Sequence, residues 1–147
     1  MREAMGGRRI VNSLAGRAGA GDRASRQTWV VSRVGFRGGS LHVHRNEDEA
    51  FYVLTGRVSL VCGEGAADLG PGAFALLPRG LPHSFWNPHA EPARVLVLSA
   101  PGAVEGYFAE AAALAKATGG QPDPQRLAAL AEQYGIEVVG PPPGAAG

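Results

Sequence analysis

The stretch His42-Val43-His44-Arg45-Asn46-Glu47-Asp48-Glu49-Ala50-Phe51-Tyr52-Val53-Leu54-Thr55-Gly56 decides how the rest of this sequence is read. In an extended strand, side chains two apart point to the same face, so His42 and His44 present their imidazoles side by side. A polar reversal through Arg45 to Asp48 leads into a second strand, on which Glu49, Phe51 and Val53 share one face. That sets one carboxylate among apolar neighbours. A second organised segment holds Gly72, Pro78, Gly80, His83 and Asn87, and there His83 shares a strand face with Phe85. If these strands meet, three imidazole nitrogens and one carboxylate oxygen surround one point. Such a donor set of intermediate softness suits one divalent transition metal (Fe, Mn, Ni, Co, Cu or Zn) and leaves positions open for water or substrate.

Working outward, the sequence around these segments is a series of short β-like runs: Thr28 to Val34, Leu41 to His44, Ala50 to Thr55, Arg57 to Cys62, Ala73 to Leu77, Pro82 to Trp86 and Arg94 to Ser99. Turn residues punctuate them at Gly56, Gly63 to Gly65, Gly70-Pro71-Gly72, Pro78 to Gly80 and Asn87-Pro88. Strands this short and this regularly spaced predict a mainly all-β domain, a closed barrel or a sandwich of antiparallel strands. Gly (22) and Pro (11) agree, because tight turns need them and long helices do not.

The last third changes texture. Val104, Tyr107, Phe108, Ala111 and Leu114 fall at helical spacing. A second helix follows Gly119-Gly120, with Asp123 as N-cap, Pro124 at the first helical position, an apolar stripe of Leu127, Leu130, Ala131 and Tyr134, and Gly135 as the stop. These helices are expected outside the barrel or over one rim, and Ile136 to Val139 is expected as an edge strand. The chain therefore divides into an arm at 1–26, flexible or exchanged with a second subunit, a barrel at 27–100, a helical extension at 101–140 and a frayed tail at 141–147.

Composition bounds the partners. With 147 residues there is room for one core. Fourteen basic against 13 acidic residues leave a net charge of +1, so no broad field is available for nucleic acid or an anionic membrane. The single Cys62 excludes an intrachain disulfide framework and a cysteine-rich zinc module. No apolar run is long enough to span a bilayer, and Arg17 interrupts any secretory core near the N-terminus, so the expected address is the cytoplasm.

The spacings carry a resemblance. HxH-x4-E-x6-G is matched by His42, His44, Glu49 and Gly56, and G-x5-PxG-x2-H-x3-N by Gly72, Pro78, Gly80, His83 and Asn87. These two motifs resemble those that define the cupin superfamily. The resemblance covers residues 28 to 100 and departs at Phe36, where the family usually has glycine. It implies a jelly-roll β-barrel holding one divalent metal through His42, His44, Glu49 and His83, and a homodimer. More narrowly, Glu49 to Leu54, Leu77 to His83 and the two-helix tail resemble actinobacterial single-cupin proteins of the quercetin 2,3-dioxygenase-like kind. That implies a dioxygenase using O2 on a hydroxylated aromatic or enol, flavonol-like small molecule. The alternatives are a non-oxidative isomerase, decarboxylase or polyketide cyclase, or a non-catalytic small-molecule binder.

Within this frame Glu49 is either a ligand alone or also a base, its apolar surroundings raising its proton affinity. Phe51, Val53, Leu76 and Phe85 are expected inside, as core or as substrate-pocket wall. His89 and Arg79 read as a loop residue and a solvated charge, and Asn87 as a turn-holding side chain.

Overall fold

The computed structural model describes residues 28–34, 39–102, 104–120 and 122–143, and for 28–34 the backbone alone. The arm at 1–26 and Phe36 lie outside the described residues. The strands are β1 (Thr28–Val34), β2 (Leu41–His44), β3 (Asp48–Thr55), β4 (Val58–Cys62), β5 (Gly65–Leu69), β6 (Phe74–Leu77), β7 (His83–Trp86) and β8 (Ala93–Ala100). Helices α1 (Glu105–Ala117) and α2 (Pro124–Gln133) and strand β9 (Ile136–Gly140) complete the chain. Two antiparallel sheets form, in the order β1-β8-β3-β6 and β5-β4-β7-β2-β9. This is the jelly-roll arrangement expected from the sequence.

Strand alternation sorts the side chains. On β3, Phe51 and Val53 turn inward and are almost fully buried, and Val95 and Val97 opposite them on β8 do the same. Val58 and Leu60 of the facing sheet meet them, with Leu77 and half-buried Phe85 closing the cluster. Phe51 and Phe85 pack edge to face, ring centroids 4.5 Å apart, so the two sheets lock through an aromatic pair. Phe51 and Val53 therefore belong to this core.

Leu76 does not. It is 59% exposed, against the expectation that it faces inward. The register explains the reversal: β6 sets Leu77 opposite Glu49 and Ala75 opposite Phe51, so the pleat turns Leu76 and Phe74 to the outer face. With Tyr52 and Leu54 they make that face of the sheet apolar.

The sequence reading placed no strand between Cys62 and Ala73, yet β5 lies there. Its Ala66, Ala67 and Asp68 are exposed and lack β-branched side chains; the strand exists because its backbone pairs with β4 from Val58 to Cys62. Asp68 adds bonds from this strand, accepting from Arg57 at 2.6 and 2.8 Å and lying 3.0 Å from His89 Nε2. His89 is thus tied into an exposed ion-pair network, and Arg79 is likewise paired, its guanidinium on Asp48 at 2.8 and 3.0 Å. Asn87 holds its turn as expected, accepting from the His89 amide at 2.9 Å and donating to the Glu91 carbonyl at 2.8 Å.

The C-terminal elements form as their caps dictate. The Asp123 carboxylate accepts the Gln125 amide at 2.9 Å, and Pro124 opens the helix where no amide is needed. Gly135, at φ +72°, ends the helical run and turns the chain into β9, which pairs antiparallel with β2. The extension thereby covers one end of the sandwich. Among the described residues, no helix is long and apolar enough to cross a membrane.

Candidate metal centre

Strand β2 supplies His42 and His44 on one face, and β7 places His83 directly opposite His42 in register. The three imidazoles cluster with centroids 4.6 to 5.4 Å apart, the His44 and His83 rings nearly parallel at 8°. Glu49 reaches in from β3, a strand of the other sheet. One ligand atom from each of the four lies within 4.8 Å of all the others. The structure thus brings together every residue expected as a metal ligand.

Each imidazole is turned by its other nitrogen. His42 Nδ1 lies 2.8 Å from the Ser40 carbonyl and His83 Nδ1 lies 3.0 Å from the Leu81 carbonyl. A carbonyl oxygen only accepts, so both rings carry their proton on Nδ1 and leave Nε2 as a lone pair. His83 Nε2 then faces Glu49 Oε2 at 3.3 Å, and neither atom has a hydrogen-bond partner although both are buried. Two lone pairs facing each other in a dry interior repel, and a cation between them removes that cost. With metal–ligand bonds of about 2.0–2.2 Å, ligand atoms stand up to ~4.4 Å apart, close to the spread found here. The residues fit one divalent metal.

Charge follows the same geometry. Burial pushes the Glu49 carboxyl up, but the His83, His44 and His42 imidazoles, which attract the carboxylate once they take up a proton, outweigh it and hold the group below the usual carboxylate range. This corrects the expectation of raised proton affinity: the nearest neighbours are imidazoles, and Phe51 and Val53 lie further along the strand. Burial, with the nearby His83, pushes His42 down to about 4 from 6.5. Below pH 6.5 the unfolded chain takes up a proton there that the folded chain refuses. The metal-free protein is therefore expected to lose stability as pH falls from about 6.5 to about 4, by on the order of 3 kcal/mol. Chemical denaturation of chelator-treated protein at steps across this window measures it; a flat profile contradicts it.

Above the cluster lies a cavity of about 430 Å³, onto which His42, His44 and Glu49 open. Phe85 and Val97 form its floor side, and of the four residues expected as pocket wall only Phe85 lines it. Much of the remaining wall comes from Tyr107 and Phe108 of α1, Leu127 of α2, and Ile136 and Val138 of β9. The helices were expected outside the barrel or over a rim; they sit over the rim that carries the metal ligands. Sequence reasoning missed these wall residues, since nothing local says which barrel end an appended helix covers. It also missed Glu47, buried to 1% exposure with Oε2 at 3.5 Å from His44 Nδ1. The only signal for it was an acidic residue three positions after the second histidine.

Two antiparallel sheets closed around three histidines and a glutamate define a small jelly-roll barrel with a cluster able to hold a metal between its sheets. Residues 29–99 match the family model for the Cupin domain, which supports the cupin superfamily for this part of the chain. It is similar to the TT1209 protein of Thermus thermophilus, with 36% identity over 51% of this chain and 72% of that one and a TM-score of 0.49. A cupin-2 domain containing protein of Shewanella frigidimarina shares the fold at 15% identity, over 67% of this chain and 84% of that one, TM-score 0.51. A Klebsiella pneumoniae protein with a double-stranded β-helix domain is 26% identical over 52% of this chain and 68% of its own, TM-score 0.47. No curated protein matches the sequence.

Proposed function

We propose that this chain is a metal-dependent dioxygenase acting on a hydroxylated aromatic or enol small molecule. The observation that carries this reading is the placement of the cavity: an apolar, aromatic-walled space opens directly on the metal-binding cluster. Among the described residues lining it, none is lysine or arginine. Apart from the metal, a phosphate or a second carboxylate on the substrate would find no cationic side chain to meet it, whereas a flat ring with an acidic hydroxyl fits both the walls and the centre.

The bound metal, held by His42, His44, Glu49 and His83, supplies Lewis acidity, a template and, where it is redox-active, an electron relay. The chain's own residues do the rest. Tyr107, Phe108 and Leu127 exclude water and orient the ring against Phe85. Glu49, held ionised, accepts the proton of the substrate hydroxyl as the oxygen approaches the centre. His42 and His83 stay fixed by the Ser40 and Leu81 carbonyls, so neither of these rings must reorient when Glu49 turns from the metal to take the proton.

The test starts from metal analysis of protein purified without chelator, followed by O2 uptake with flavonols and simple enols. O2 consumed in proportion to product supports the proposal. Equal turnover in a glove box would make this a non-oxidative isomerase, decarboxylase or cyclase instead. Ligand-induced thermal shift without product would make it a binder. In the same assay Glu49→Gln should retain much of the metal while losing about 100-fold or more of turnover; metal lost in equal proportion would leave Glu49 a ligand only.

A further inference from the structure

We propose that Glu47 is a positioning residue of the metal centre, its buried carboxylate accepting the Nδ1 proton of His44 and making that imidazole the strongest donor of the three. The inference rests on the metal-centre reading and not on the reaction assigned to it. Three observations carry it. Glu47 is buried at 1% exposure in a reversal between two strands, where an acidic side chain would ordinarily reach solvent. Its Oε2 lies 3.5 Å from His44 Nδ1, and both buried atoms are without a hydrogen-bond partner, so each is the nearest polar group the other could use. Finally, the Nδ1 atoms of the other two imidazoles are oriented by neutral carbonyls, of Ser40 and Leu81, so of the three only His44 has a carboxylate on its Nδ1 side.

Glu47 is not a ligand itself. It stands on the Nδ1 side of His44, and the group of converging ligand atoms comprises His42, His44, Glu49 and His83 without it. The chemistry is that of a carboxylate–histidine–metal relay. The carboxylate fixes the tautomer that presents Nε2 to the cation. It also adds electron density to the ring, which strengthens that one bond relative to its neighbours. Without a cation, the same buried carboxylate oxygen is left 3.5 Å from the ring nitrogen with no hydrogen bond made, an arrangement that costs stability. The residue therefore has opposite effects on the empty and the loaded protein.

That opposition supplies the test. Glu47→Gln and Glu47→Ala are compared with wild type in two measurements on the full chain. One is the affinity for Co(II) and Zn(II), by competition with a chromophoric chelator, together with the Co(II) visible spectrum. The other is the melting temperature of the chelator-treated protein. The expected result is an affinity loss of roughly 10- to 100-fold for alanine and a smaller loss for glutamine, which keeps an acceptor but not the charge. The Co(II) bands should shift in both variants, while the metal-free melting temperature stays level or rises. Affinities within twofold of wild type in both variants would overturn the proposal. So would a metal-free melting temperature that falls in step with affinity, since Glu47 would then serve the fold. Wild-type protein that binds neither ion would sink the metal centre itself, a distinct failure.

Discussion

His83→Ala should empty the metal centre. Wild type purified without chelator is expected to carry about one equivalent of divalent metal, and the variant less than roughly a tenth of that. His83 is fully buried, so water cannot simply take its place, and its Nε2 is the atom that faces Glu49 Oε2 across 3.3 Å. The residues that would hold the cation come from both sheets, three histidines from one and Glu49 from the other. Loading should therefore raise the melting temperature of wild type by the binding energy gained in the folded state alone, and leave the variant unmoved. Elemental analysis and melting curves with and without chelator measure both effects. A variant that kept stoichiometric metal would remove His83 from the ligand set.

Gly56→Ala should be the most damaging small substitution in the barrel. Gly56 sits at φ +72°, and a Cβ there would lie 2.5 Å from the Pro92 carbonyl oxygen and 2.7 Å from Ala93 Cα. Both are backbone atoms of the segment entering β8, so relief requires moving a strand. The expected cost is about 3 kcal/mol or more, roughly 10 °C in melting temperature. Gly72→Ala gives the internal control. It has a similar φ of +83° but nothing within 4 Å, so only the local left-handed strain of about 1–2 kcal/mol applies. Equal losses at the two positions would mean that the close approach to β8 contributes nothing.

The contrast between these glycines bears on what could be read from the sequence. Both mark turns by type, but only the folded chain reveals which one has another strand against it. The ligand set was legible because the strand period puts His42 and His44 on one face, and because the resemblance to the two cupin motifs implies Glu49 and His83 as the partners that complete the set. Leu76 was misread because its face depends on the register between β3 and β6, which a one-residue shift inverts. Strand β5 left no trace, since two alanines and an aspartate carry no strand preference and pairing alone defines them. Glu47 looked like an ordinary turn carboxylate, and its burial arises from tertiary packing. The walls contributed by Tyr107, Leu127 and Ile136 come from beyond the matched domain, so no motif inside it could foretell them.

The last strand has a consequence for how the chain tolerates damage. Strand β9 lies at the margin of its sheet beside β2, pinned by Arg45 reaching Glu137 at 3.0 Å and Glu132 at 2.8 Å. A protease cut ahead of residue 136 would unzip that margin and bare the amides and carbonyls of the very strand that carries two histidines. The cavity over the four side chains would open to water, and the naked seam would be free to pair with strands of other molecules. Integrity of the C-terminus is in this sense a condition for remaining both dry and dispersed.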